Sequence, residues 1–157
     1  MTNPDAGRDS DGGALTTRAA AAPAWRFALG GVVAAAAAVA ANLAWRGAFP
    51  SVTGYALPPA IDTPSVVIAS ASSVLLGAGV YLLLSRAFAI ATPLYVMGSL
   101  AAAGTSCIVA FAPVLPDGTA PPPGFPVLTI PMHVIAGVMA AVVVPAVTLL
   151  GVRSKAG

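Results

Sequence analysis

The stretch LTIPMHVIAGVMAAVVVPAVTLL, residues 128–150, carries one titratable side chain, His133, among apolar residues, glycine, threonine and proline. A helix needs roughly 20 apolar residues to cross about 30 Å of hydrocarbon, and this run exceeds that length. A membrane-spanning helix is therefore predicted over about residues 127–152. Neighbouring helices can satisfy backbone groups that an internal proline leaves free, so Pro145 predicts a kink within a continuous span.

The composition of the whole chain points the same way. Of 157 residues, 58% are hydrophobic and 8% are charged. A water-soluble domain of this size needs more polar surface than this composition provides. We therefore predict an all-α integral membrane four-helix bundle, whose partner is the lipid bilayer around it. The net charge of +2 is small and dispersed, which excludes the clustered basic surface of a nucleic-acid-binding protein.

Three further apolar runs complete the predicted bundle. They lie at about residues 27–45, 64–85 and 93–112. Trp25 and Trp45 bracket the first run and are expected to lie at the two membrane interfaces. Thr-Pro pairs at residues 63–64 and 92–93 are typical helix starts.

Basic residues predict the orientation of the bundle. Residues 1–24 contain few large apolar side chains and are expected to form a disordered cytoplasmic tail, with a short tail at 153–157. One side of the predicted membrane carries most cations, and Arg46 is alone on the other side. By the positive-inside rule, both termini are cytoplasmic in a cell (plasma) membrane protein. The cations on the cytoplasmic side are Arg8, Arg18, Arg26, Arg86, Arg153 and Lys155.

The first span has a second interpretation. It follows arginines and contains Ala38-Val39-Ala40, which matches the A-x-A pattern of a signal-peptide cleavage site. Cleavage would leave three spans. The run is as long as a spanning helix, so the four-span interpretation is preferred.

Polar side chains within the spans converge on one layer. Counted from the predicted outer boundary at about 1.5 Å per residue, Asn42 lies roughly 5 Å deep, and Ser70, Ser106 and His133 lie roughly 10 Å deep. We predict a polar cluster of His133, Asn42, Ser73 and Ser106 in the outer half of the bilayer. The hydroxyls are expected to bond carbonyls of their own helices. For His133, a structural hydrogen bond that ties the bundle together is preferred over a ligand-binding or proton-linked role.

Small residues four apart predict the faces on which the helices pack. The stripes are Gly30-Ala34-Ala38-Asn42, Ala69-Ser73-Gly77, Gly98-Ala102-Ser106 and Gly137-Ala141-Pro145. Gly77, Gly98 and Gly137 are therefore candidate packing glycines.

The chemistry needed for catalysis is sparse. No predicted span contains Asp, Glu, Lys or Arg that could pair with His133 as a catalytic partner. The sequence has no metal-ligand spacing or phosphate-binding motif, and its one cysteine, Cys107, is expected to be a small packing residue. No catalytic residue, cofactor or metal is therefore expected.

The fourth span also carries a family resemblance. With Met-His near its start and Val-Pro near its end, it resembles the last helix of an uncharacterised, domain-of-unknown-function family of small bacterial and archaeal membrane proteins. The resemblance covers roughly residues 27–152, and only His133 and Pro145 carry over. It implies a four-span fold and a membrane location, and no activity.

Three functions follow as hypotheses. The preferred one is a non-enzymatic accessory protein that binds another membrane protein or further copies of this chain. The second is a small transporter or channel subunit with a polar site around His133, although four short helices leave little room for a path. An enzyme acting on lipid comes third.

Overall fold

The computed structural model describes residues 22–111, 118 and 120–150, and within them the chain is all-helical. Four helices in this part of the chain are long and apolar enough to cross a membrane. They are α1 (Ala24–Thr53), α2 (Thr63–Ala87), α3 (Ala91–Val109) and α4 (Phe125–Leu149). The four predicted spans are thus confirmed by length and composition. Most of the predicted N-terminal tail and all of the predicted C-terminal tail lie outside the described residues.

Two arginines bring three helix ends to one end of the bundle. An Arg26 guanidinium nitrogen (Nη1) donates to the carbonyl of Leu150 at 2.6 Å, and an Arg86 nitrogen (Nη2) donates to the carbonyl of Ala22 at 3.0 Å. The start of α1 therefore lies beside the ends of α2 and α4, where residues 88–90 also connect α2 to α3. We call this the short-loop end. The opposite end, with the connections between α1 and α2 and between α3 and α4, is the long-loop end.

The first helix is longer than the predicted span. It covers 30 residues, about 45 Å at 1.5 Å per residue, and begins at Ala24, inside the predicted disordered tail. It ends at Thr53, and Gly54, the next residue, adopts a left-handed φ of 76°. Arg46, which lies just beyond the predicted first span, is therefore helical, and its Nε donates to the carbonyl of Ile61 at 2.7 Å. Falling hydropathy after residue 45 does not end a helix, whereas a left-handed glycine does.

Adjacent glycines let α1 pack closely on two helices. The predicted stripe Gly30-Ala34-Ala38-Asn42 is buried along its whole length, which confirms it. A Cβ on Gly30 would lie 2.8 Å from the carbonyl oxygen of Val144 in α4. A Cβ on Gly31 would lie 2.7 Å from that of Ala78 in α2. Such close approach maximises van der Waals contact, which drives helix association in lipid.

The predicted packing stripes of α2 and α3 are wrong by one residue. In α2 the buried positions include Val66, Ser70, Val74 and Ala78, whereas Ala69 and Ser73 are exposed. One residue rotates a helix position by about 100°, so the true face lies beside the predicted one. In an alanine-rich span, small residues four apart occur on several faces, and spacing alone does not select among them.

The three candidate packing glycines have different surroundings. A Cβ on Gly137 would lie only 2.4 Å from that of Ala103, so this glycine lies at the contact between α3 and α4. A Cβ on Gly77 would lie 3.2 Å from the hydroxyl of Tyr95. Gly98 is exposed, and among the described residues nothing lies within 4 Å of a Cβ placed there. Its predicted packing role is therefore wrong within a single chain.

Aromatic rings fill the bundle near the short-loop end. The ring of Tyr81 in α2 lies 5.1 Å from that of Phe27 in α1 and 4.7 Å from that of Tyr95 in α3. All three side chains are buried, and the Tyr81 hydroxyl lies 2.8 Å from the Thr92 hydroxyl. Such ring pairs stabilise packing beyond the area they bury. This aromatic cluster attaches the start of α3 to the bundle.

The fourth helix changes its winding before Pro145. It is α-helical over Phe125–Val138, π-helical over Met139–Val143 and α-helical again over Val144–Leu149. A proline has no backbone N–H to donate to the carbonyl four residues earlier, and a wider π-helical turn beside it is a common way for the helix to accommodate this loss. The helix continues through Pro145 as predicted, with a π-helical segment before it, and the predicted kink stays a prediction.

Glycine and aspartate hold the connections at the long-loop end. Gly124 begins α4 with a φ of 84°, and a Cβ there would lie 2.6 Å from the ring of Tyr55. Asp62 caps α2 by accepting a hydrogen bond from the Ser65 backbone N–H at 2.8 Å. Hydrogen bonds from Ser65 lower the pKa of the Asp62 carboxyl, and Arg46 lowers it further. The carboxylate that caps the helix is therefore favoured over its protonated form.

We expect Gly137→Ala to destabilise the bundle by about 1–3 kcal/mol, because the added methyl group overpacks the contact with Ala103. The matched control is Gly98→Ala, where the described neighbours leave open space and alanine is the better helix former. Unfolding in mixed micelles by increasing SDS measures both. Equal stability of the two variants would contradict this account of the α3–α4 contact.

Candidate functional site

The side chain of Asn42 joins three helices inside the bundle. This residue of α1 is 1% exposed. Its Nδ2 donates to the Ser70 hydroxyl of α2 at 2.9 Å and to the Met132 carbonyl of α4 at 3.3 Å. We call these two bonds the Asn42 tie. Because the carbonyl can only accept, the nitrogen of the amide must face it, which fixes the orientation of the side chain.

The polar groups lie at different distances from the helix ends at the long-loop end, and their depth in a bilayer stays a prediction. At about 1.5 Å per residue, Asn42 lies about 16 Å along α1 from Thr53, and Ser106 lies about 5 Å along α3 from Val109. Ser70 and His133 lie about 10 Å and 12 Å from the starts of their helices. These residues still line one cavity, because α1 extends further than α3 towards the long-loop end.

The predicted serines bond within their own helices. The Ser73 hydroxyl donates to the Ser70 carbonyl at 3.1 Å, and the Ser106 hydroxyl donates to the Ala102 carbonyl at 2.9 Å. This confirms the expected back-bonding, which is the usual fate of hydroxyls in membrane helices. The serine that bonds Asn42 is Ser70, one helical turn from the Ser73 of the predicted cluster.

His133 also bonds within its own helix. Its Nδ1 lies 2.8 Å from the carbonyl oxygen of Thr129, one turn earlier in α4. A carbonyl has no hydrogen to give, so Nδ1 carries the proton and Nε2 of the neutral ring is an acceptor. The expectation that His133 ties the helices together is therefore wrong, because Asn42 makes that connection. No described residue hydrogen bonds to Nε2.

A cavity of about 370 Å³, the main cavity, lies beside the Asn42 tie. It reaches from His133 to Ile61 and Ser65 at the long-loop end. Its volume is within the range of small-molecule sites, roughly 300–1,000 Å³. All four residues of the predicted polar cluster, His133, Asn42, Ser73 and Ser106, line it, together with Ser70, Thr129 and Met132.

A second, smaller space continues from the main cavity towards the middle of the bundle. This side cavity has a volume of about 180 Å³ and lies among α2, α3 and α4. Ser73, Ser106, His133 and Ala136 line both spaces. His133 is therefore at the boundary between the two cavities.

Sequence reasoning missed several lining residues. Ser65, Thr129 and Ala136 carry no motif that distinguishes them from other small residues of the spans. Thr129 had a positional signal, because it lies one helical turn before His133 and its carbonyl accepts the imidazole hydrogen. Met132 could not be predicted from the sequence, because it contributes its backbone carbonyl to the Asn42 tie and every residue has such a carbonyl.

The cavities combine apolar walls with neutral polar groups. No Asp, Glu, Lys or Arg of the described residues lines either cavity. No three potential metal ligands cluster within the part of the chain that the structure describes. Asp62 caps α2 outside the lining. The arrangement can accept and donate hydrogen bonds, and the non-enzymatic assignment stays a prediction.

Comparisons with protein families, curated proteins and solved structures find no match for this chain. The resemblance of α4 to an uncharacterised membrane-protein family stays a prediction.

We expect Asn42→Leu to destabilise the bundle by about 1–2 kcal/mol, because it removes both bonds of the tie and leaves buried polar groups unpaired. Ser72→Ala is the control, since the Ser72 hydroxyl is exposed and bonds only carbonyls of its own helix. SDS-induced unfolding in mixed micelles compares the two variants. A loss no larger in Asn42→Leu than in Ser72→Ala would contradict the tie.

Proposed function

We propose that this chain is a non-enzymatic multi-pass membrane protein that binds a small molecule in the main cavity, as a transporter or channel subunit would. The observation that carries the proposal is the position of His133 and Asn42 on a cavity of about 370 Å³ that is otherwise mainly apolar. Ligand sites typically combine apolar walls with a few convergent polar groups. A bundle held only by structural polar bonds has no need of such a space.

The accessory role is the second candidate. Its support is α3, of whose apolar segment 6% is buried, compared with 39% for α1. Gly98 lies on the exposed part of this helix, and a small residue there allows another helix to approach closely. Lipid can cover such a face equally well. The exposure of α3 therefore supports the accessory role less strongly than the cavity supports ligand binding.

The location proposed for the bundle is the cell membrane, with both termini in the cytoplasm. Arg26 and Arg86 lie at the short-loop end, and Arg46 lies near the long-loop end. The positive-inside rule then directs the short-loop end to the cytoplasm. The main cavity would reach towards the outer surface.

Binding is tested with 2-naphthalenemethanol, a neutral aromatic alcohol, by equilibrium dialysis against protein in lipid nanodiscs. We expect saturable binding that Ala136→Phe abolishes, because residue 136 lines both cavities. Ala101→Phe adds the same side chain at an exposed position of α3 and should leave binding unchanged. Empty nanodiscs measure partition into lipid. Absence of saturable binding would overturn the proposed function and leave the accessory role as the better candidate.

The orientation is tested by cysteine labelling in a Cys107→Ser background. A membrane-impermeant maleimide added to intact cells should label Ala60→Cys, which lies in the connection between α1 and α2. Ala89→Cys, in the connection between α2 and α3, should react only after the cells are permeabilised. The reverse pattern would overturn the proposed orientation.

A further inference from the structure

Two residues that line the main cavity each carry a hydrogen-bond acceptor without a partner among the described residues. Asn42 lines the cavity and is 1% exposed, and its Oδ1 has no hydrogen-bond partner among the described residues. His133 lines the same space, and within the described part of the chain its Nε2 is likewise unbonded. The Asn42 oxygen is buried, and a buried acceptor without a donor is costly and uncommon in native proteins.

The orientation of both groups is set by other contacts. The Nδ2 of Asn42 is held by Ser70 and by the Met132 carbonyl, so the amide cannot turn over to present N–H groups. The Nδ1 of His133 is held by the Thr129 carbonyl, so Nε2 is an acceptor in the neutral ring. The structure thus prepares two acceptors, and a partner must bring the hydrogens.

The electrostatics of the lining exclude charged partners. No carboxylate lines the described walls to balance a bound cation, and no Lys or Arg balances an anion. Transfer of an unpaired charge from water into such surroundings is far more costly than transfer of a neutral hydroxyl or amide. An anion would also face two acceptors.

The rest of the lining favours an apolar body. Ile61, Val66, Met132 and Ala136 supply hydrocarbon surface around the polar groups. An apolar cavity of about 150 Å³ holds a benzene molecule, so about 370 Å³ accommodates a larger group. A small hydrophilic solute would leave much of this wall in contact with water.

We infer that the main cavity takes an uncharged amphiphile, an apolar molecule bearing a hydroxyl or N–H group that donates to Asn42 Oδ1 or to His133 Nε2. This inference rests on the proposed function and adds the chemical class of the ligand. Water alone at the two acceptors is the opposing outcome of the test.

Four probes with one ring system distinguish the classes: 2-naphthalenemethanol, its methyl ether, 2-naphthylmethylammonium and 2-naphthoate. Equilibrium dialysis with protein in nanodiscs gives each affinity, corrected for partition into empty nanodiscs. We expect the alcohol to bind about tenfold more tightly than the ether, which cannot donate a hydrogen bond, and more tightly than either ion. Equal affinity for alcohol and ether, or tighter binding of an ion, would overturn the inference.

Two variants assign the preference to the acceptors. His133→Phe removes one acceptor without touching the Asn42 tie and should reduce the preference for alcohol over ether severalfold. Asn42→Leu should do the same, and if this variant does not fold, His133→Phe decides. Ser72→Ala, outside the lining, should keep the full preference. A preference unchanged by His133→Phe would contradict the role given to Nε2.

The two proposals fail separately. If alcohol and ether bind wild-type protein equally and Ala136→Phe abolishes both, the cavity is a binding site and only the ligand class is wrong. If neither binds saturably, the proposed function is wrong as well.

Discussion

An amide buried in a lipid-facing bundle has no water to bond, so the protein itself must supply its partners. Asn42 meets this requirement with Ser70 on α2 and the Met132 carbonyl on α4, and these bonds fix the relative heights of three helices. Close packing further along α1 is possible because Gly30 and Gly31 present no side chain to α4 and α2. The geometry of the cavity follows from this arrangement, because the helices that line it are held at the tie.

The fourth wall of the cavity is held differently. Most of α3 is exposed, and its contacts with the bundle include the ring contact of Tyr95, the hydroxyl contact of Thr92 and the approach of Ala103 to Gly137. Near Ser73 and Ser106 the side chains are small and bond their own helices, so they do not fill the space between α2 and α3. A cavity forms where tightly joined helices face a helix whose large side chains, such as Met97, Leu100 and Ile108, are exposed.

Sequence patterns predicted the elements and the layer of polar residues, and they failed on rotation about each helix axis. The stripe through Gly30 was right because Asn42, at its end, is buried where it bonds two other helices. The stripe through Gly98 does not pack within a single chain, where Tyr95 on a neighbouring face contacts the bundle. An alanine-rich helix has small side chains on several faces, and only contact with the neighbouring helices selects the face that packs.

The sequence by itself determined four apolar helices and the convergence of Asn42, Ser73, Ser106 and His133 on one region, because span length and hydropathy leave few alternatives in lipid. Only the tertiary structure decided that Asn42 joins the helices, while His133 bonds its own carbonyl and keeps an acceptor free. Hydrogen-bond partners depend on helix rotation and on backbone carbonyls. Neither quantity is encoded in the type or spacing of single residues.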